Sequence, residues 1–171
     1  MHAVGDLAPS VRLRPVRADD EDFLFELYAS TRAAELERTG WDETAKLGFL
    51  RMQFAAQRAY YASQFAAAQF DVIEADSTPV GRLYVLRDQA EIRIIDVTLL
   101  PSWCHRGIGT RLIGAILEEA RASTRSVALS VDRWNAGAHR LYVRLGFREE
   151  SSDEVYVRMR YDAALTGDEG R

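Results

Sequence analysis

Residues 105–110 read His-Arg-Gly-Ile-Gly-Thr and stand directly before a stretch with helical apolar spacing. A helix N-terminus presents unpaired N–H groups and a partial positive charge. Glycine there lets the backbone approach an anion closely, and successive N–H groups can converge on phosphate oxygens. Arg106 adds a cation and Thr110 a hydroxyl. The chemistry that fits Gly107 and Gly109 is phosphate binding. A tight strand-to-helix turn accounts for the same two glycines without a ligand. Two other nucleotide signatures fail here: a P-loop needs a lysine that this loop lacks, and a dinucleotide fingerprint needs glycine where Leu112 stands.

The elements that must hold this loop follow from the hydropathy period. Residues 91–100, EIRIIDVTLL, are apolar over most of their length and read as a central strand leading into the loop. After it, Ile108, Leu112, Ile113, Ile116 and Leu117 share one helical face. Upstream, 11–17 alternates as a strand, and 18–32 opens with acids before Phe23, Leu24, Leu27 and Tyr28 at helical spacing. A break at 39–41 precedes a long helical pattern from Asp42 to Phe65. Segments 70–75 and 79–87 read as strands, with turns at 76–79 and 88–90. Downstream come a strand at 126–131, a short helix at 135–146 that Gly146 can end, and a strand at 154–161. The order is strand, two helices, three strands, helix, strand, helix, strand. It predicts a single mixed α/β domain over 1–171, with 1–10 and 163–171 as flexible ends.

Composition narrows the partners. A net charge of -4 gives no general attraction to nucleic acid. Of 22 basic residues only Lys46 is a lysine, and codon bias explains that as well as any function. With one cysteine, Cys104, no intramolecular disulfide can form, and His2, His105 and His139 make no zinc pattern, so no metal is expected. The first residues lack a signal pattern, and no apolar run approaches the ~20 residues that span a bilayer. The expected location is cytoplasmic.

Two motifs in sequence order carry a resemblance. In the first, Val97, Leu99 and Pro101 lead to Gly107 and Gly109. In the second, Asn135, Ala138, Leu141, Tyr142, Gly146 and Phe147 fall at N-x-x-A-x-x-L-Y-x-x-x-G-F spacing. The chain resembles the GNAT family of acyl-CoA-dependent N-acyltransferases, most clearly over residues 79–161. The resemblance implies a mostly antiparallel sheet of about seven strands, about four flanking helices and a splayed strand pair. It implies acetyl-CoA as co-substrate and a primary amine, of a small molecule or a protein, as acceptor; a homodimer stays open. One departure stands out: the family's usual Gln or Arg three residues before the first glycine is Cys104 here. Arg106 can supply the charge. A reactive thiol is the sharper reading of Cys104 and a small neutral filler the plainer one.

The resemblance also assigns roles. The pyrophosphate falls to the backbone of His105, Arg106, Gly107, Ile108, Gly109 and Thr110. The pantetheine arm lies along the main chain of Val97 and Leu99, like an added strand. The Val97 N–H is placed to stabilise an oxyanion. Asn135 and Ala138 flank the coenzyme arm, although Asn135 also suits a helix N-cap. Tyr142 matches the general acid, or else is a packed aromatic beside Leu141 and Leu145. Asp96 and Glu91 are the candidate bases, with a water chain to solvent as the alternative. Asp96 could equally be an ion pair with Arg82 or Arg93, and alternation sets it opposite Val97 unless the strand is bulged. The acceptor site is expected against the two N-terminal helices and their connecting loop, where Phe54, Tyr61 and Phe65 could instead be core. Direct attack in a ternary complex is the expected mechanism, and a non-catalytic acyl-CoA sensing module is the rival.

Overall fold

Period-two segments pair into one sheet, and period-3.6 segments cover its two faces. The computed structural model describes residues 9–163. Most of the two ends read as flexible lies outside the described residues. Within them, Ser10 exchanges two hydrogen bonds with Asp76, whose N–H donates to the Ser10 carbonyl at 2.9 Å while its carboxylate accepts from the Ser10 N–H at 3.0 Å. In chain order the elements are β1 (Val11–Pro15), α1 (Glu21–Leu36), α2 (Glu43–Gln64), β2 (Gln69–Ala75), β3 (Thr78–Arg87), β4 (Glu91–Leu99), α3 (Ile108–Ala122), β5 (Ser126–Asp132), α4 (Ala136–Arg144), β6 (Arg148–Ser152) and β7 (Tyr156–Asp162). Asp42 caps α2, its carboxylate accepting from the Ala45 N–H at 2.8 Å.

The sheet order is β1-β2-β3-β4-β5-β7-β6. Every neighbouring pair is antiparallel except β4 and β5, which run parallel. The apolar β4 therefore sits at the centre, as its composition predicts. β6 has no counterpart in the period analysis. Its sequence, Arg-Glu-Glu-Ser-Ser, is exposed throughout, so hydropathy leaves no trace of it. Its pairing to β7 defines it instead.

One face of the sheet carries Leu83, Val85, Ile92, Ile94, Val127, Leu129, Val157 and Met159 against Ile108, Ile113, Ile116 and Leu117 of α3. Fully burying each such side chain contributes about 1.5–3 kcal/mol. The other face is covered only in part. α1 and α2 pack through Leu24, Tyr28 and Phe54. At Gly81, β3 approaches β4 so closely that a Cβ would lie within van der Waals overlap of the Thr98 carbonyl oxygen.

Candidate active site

β4 and β5 pair only from Glu91–Ser126 to Ile94–Leu129. Beyond that point the two strands part. The cause is visible in β4 itself: against β3, Tyr84 faces Asp96 and Val85 faces Ile94, so Ile95 is an extra residue. Ile94 and Val97 consequently both pack toward α3 although they stand three positions apart. Such a bulge bends the strand and ends its regular pairing. From Ile95 to Leu99 the β5-facing edge of β4 has no strand partner. This fork is a slot with backbone donors and acceptors along one wall.

The glycine loop stands at the open end of the fork. Gly107 has a φ of +78° and is the residue before α3, with no side chain capping the helix. His105 also has a left-handed backbone, at φ +61°. These turns leave the first N–H groups of α3 uncapped by any side chain. No packing neighbour demands glycine at 109: an added Cβ would meet only Leu141 Cδ2, at an ordinary 3.8 Å. Among the described residues nothing else lies within 4 Å of that Cβ position. The Arg106 guanidinium lies 4.6 Å from the centre of the Trp103 ring, a cation–π contact that fixes it beside the loop. Cys104 is half-buried, its thiol directed at the carbonyls of Leu99 and Leu100 at 3.8 and 3.5 Å.

α4 brings Tyr142 to the fork from the α3 side. Its ring is buried among the residues that line the splayed strands and meets Phe147 edge-on at 5.7 Å. Burial, and then the negative charge of Asp96, push its phenol up to about 12. Its hydroxyl forms no hydrogen bond among the described residues. Asn135 is the N-cap of α4, its side-chain oxygen accepting from the Ala138 N–H at 3.0 Å. That settles its capping role and leaves the amide nitrogen unused.

Asp96 lies on the opposite face of the sheet from Val97. Its Oδ2 accepts from Arg82 Nη2 at 2.8 Å and from the Tyr61 hydroxyl at 2.9 Å, and its Oδ1 from the Thr98 hydroxyl at 2.7 Å. The ion pair with Arg82 is buried, with side chains 4% and 10% exposed. Burial and the neighbouring carboxylate hold the Tyr61 phenol far above its usual range. Glu91 is not brought to this group. It lies three residues before the last paired position, roughly 10 Å along the strand, and is tied to Arg160 at 2.8 Å and Arg93 at 3.3 Å.

On the α2 side of the fork lies a cavity of about 350 Å³. Its floor is β4, β5 and β7, through Arg93, Ile95, Ser130, Tyr156 and Arg158, and its wall is the end of α2, through Tyr60, Tyr61 and Phe65. The connection between α1 and α2 takes no part in it. Phe54 is core, whereas Tyr61 and Phe65 line the cavity. Arg51 and Arg58 point elsewhere, over the Phe25 and Phe54 rings.

The sequence model of the Acetyltransferase (GNAT) family matches residues 24–147. The chain belongs to this family. A relative from Methanocaldococcus jannaschii, an uncharacterised N-acetyltransferase, is 31% identical over 91% of this chain and 69% of its own length. The PaiA N-acetyltransferase of Thermoplasma acidophilum, solved in complex with coenzyme A, superposes with a TM-score of 0.67 at 19% identity, covering 90% of this chain and 99% of that one. The ribosomal-protein-S18-alanine N-acetyltransferase of Escherichia coli superposes with a TM-score of 0.64 at 15% identity, covering 94% and 98%. These GNAT structures share the fold of this chain.

Within this GNAT domain, Arg158 and Tyr156 are cavity residues that sequence reading passed over, and Arg93 was read only as a possible partner of Asp96. The signal was present in residues 156–161, Tyr-Val-Arg-Met-Arg-Tyr: alternation buries Val157, Met159 and Tyr161 and sends Tyr156, Arg158 and Arg160 to the other face. What period alone lacks is that this other face adjoins the fork.

Proposed function

We propose that this GNAT domain moves an acetyl group from acetyl-CoA to a primary amine by direct attack in a ternary complex. The observation that carries the reading is the fork. An uncapped helix N-terminus stands at its open end on one face, and a cavity opens at its closed end on the other. Two substrates can then meet from opposite faces while both are bound, which removes most of the entropic cost of their encounter.

The residues fit acetyl-CoA. The backbone from His105 to Thr110 would hold its pyrophosphate, and the free edge of β4 at Val97 and Leu99 would pair its pantetheine amides. The coenzyme supplies a thioester, whose acyl carbon an amine can take with release of a thiol. Tyr142 supports the departing sulfur. A thiol has a pKa of ~8.5, and with its phenol at about 12 Tyr142 remains neutral at the moment of departure. A neutral phenol there can hydrogen-bond the developing thiolate and pass it a proton. Asp96, with three donors already bound, keeps one acceptor position for a water. The proton of the attacking amine leaves through water in the open cavity.

Initial-rate kinetics test the proposal. With thiol release followed while both substrates are varied, ternary-complex transfer gives intersecting reciprocal plots. Parallel plots would mean an acetylated protein intermediate and would overturn direct attack.

A further inference from the structure

Resting on that reading, we infer that the acceptor is a small amine that also carries an anionic group, which Arg158 and Arg93 bind in the cavity below the fork. Among the described residues the charged ones lining this cavity are these two arginines, with no Asp or Glu. Glu150 and Glu91 touch these arginines from outside the lining, and Asp96 is paired with the buried Arg82.

Both guanidiniums have donors to spare. Arg158 Nε lies 2.7 Å from Glu150 Oε2, but this ion contact lacks hydrogen-bond alignment. Arg93 gives one long bond, Nη2 to Glu91 at 3.3 Å. A guanidinium carries five N–H groups in a planar fork that suits carboxylate or phosphate, and the two terminal nitrogens of Arg158 and Nη1 of Arg93 have no hydrogen-bond partner among the described residues. Glu91 and Glu150 are in turn shared with Arg160, so neither belongs to one arginine alone.

Position makes the pair useful. Arg158 stands opposite Ser130, the first β5 residue past the last β4 pairing, and Arg93 is two residues before the bulged Ile95. An anion on these arginines holds the rest of the acceptor within one side-chain length of the point where the strands part. The remaining wall is aromatic: Tyr60, Tyr61 and Phe65 cluster with ring centres 6.1–6.3 Å apart, and Tyr156 faces them across the floor. At about 350 Å³ the cavity suits one amino-acid-sized molecule. A polyamine would bring several positive charges to two arginines with no acid in the described lining to receive them.

The test uses matched probes that differ by the anion: L-phenylalanine against phenethylamine for a carboxylate, O-phosphoethanolamine against ethanolamine for a phosphate, with spermidine as the polycation. For at least one pair, kcat/KM by thiol release is expected to favour the anionic member by about tenfold or more. Arg158→Met keeps the apolar stem and should shrink that ratio to within about threefold, and Arg158→Lys should restore part of it. Equal or better turnover of the neutral members or of spermidine overturns the inference while leaving acetyl transfer intact. So does an Arg158→Met variant that lowers both members of a pair alike. If no probe releases thiol, calorimetry of the same pairs against the CoA-loaded protein decides: tighter binding of an anionic member supports the anion site, and equal binding refutes it. Failure of CoA itself to bind would instead refute the proposed function, and the pairs would then be titrated against the free protein with the same two readings.

Discussion

Replacing Gly109 with alanine should stabilise the free protein and weaken coenzyme binding, two effects of opposite sign from one methyl group. Gly109 is the second residue of α3, and its added Cβ would touch only Leu141 Cδ2 at 3.8 Å. Nothing in the fold resists the change. Glycine in a helix costs roughly 0.5–1 kcal/mol relative to alanine, so the variant gains up to that amount. For a chain of this length the gain corresponds to a rise in Tm of about 1–4 °C. The same methyl would stand where phosphate oxygens must approach the first N–H groups of the helix. Each charge-assisted hydrogen bond is worth about 1.5–3 kcal/mol. Losing one or two of them weakens binding by roughly 10- to 10⁴-fold. Thermal unfolding without ligand and calorimetric titration with CoA read the two effects separately. A more stable variant with unchanged CoA affinity would show that the loop is only a turn. A less stable variant would show that the packing around Gly109 has been misjudged.

Tyr142→Phe should leave CoA affinity intact and lower turnover about 10²-fold; wild-type turnover would remove the phenol from the chemistry. The same variant has a pH signature. The fold keeps Tyr142 neutral up to about pH 12, whereas an unfolded tyrosine ionises near ~10. Its contribution is therefore whole below about pH 10 and is lost as pH rises toward 12, a loss of order 3 kcal/mol. The phenylalanine variant should show that much less decline in denaturant stability across this interval. Asp96→Asn leaves Arg82 buried without its counter-charge and should cost about 3–5 kcal/mol in urea unfolding. Gly81→Ala forces a Cβ against the Thr98 carbonyl and should cost at least about 1–3 kcal/mol, with spectroscopic loss of the β3–β4 pairing.

The parts of this molecule written in short range were readable from sequence. α3 announces itself through Ile108, Ile113, Ile116 and Leu117, and the loop before it through two glycines, one of which has the positive φ that favours glycine. Tyr142 and Asn135 were singled out because their spacing along one short helix matches the second motif. Other features depend on register, which no single segment contains. The bulge at Ile95 follows from how β4 meets β3, and it decides where the fork opens. The choice between Arg82 and Arg93 as partner of Asp96 is of the same kind: the first lies across the strand pair beside it, the second beyond the bulge in the cavity. β6 is polar throughout and is held by pairing alone. Arg158 sits on a strand far along the chain from the fork, and only the β5–β7 pairing brings it there.

The most direct test of acetyl transfer through the fork mixes the protein with acetyl-CoA, first alone and then with the amine probes, while free thiol and protein mass are followed. The account predicts no thiol release and no mass gain from acetyl-CoA alone, and thiol released in step with acetylated amine once an acceptor is present. One equivalent of thiol released without amine, with an acetyl group gained by the protein, would contradict direct attack. Saturable acetyl-CoA binding with no thiol release across a wide amine panel would contradict the transfer itself.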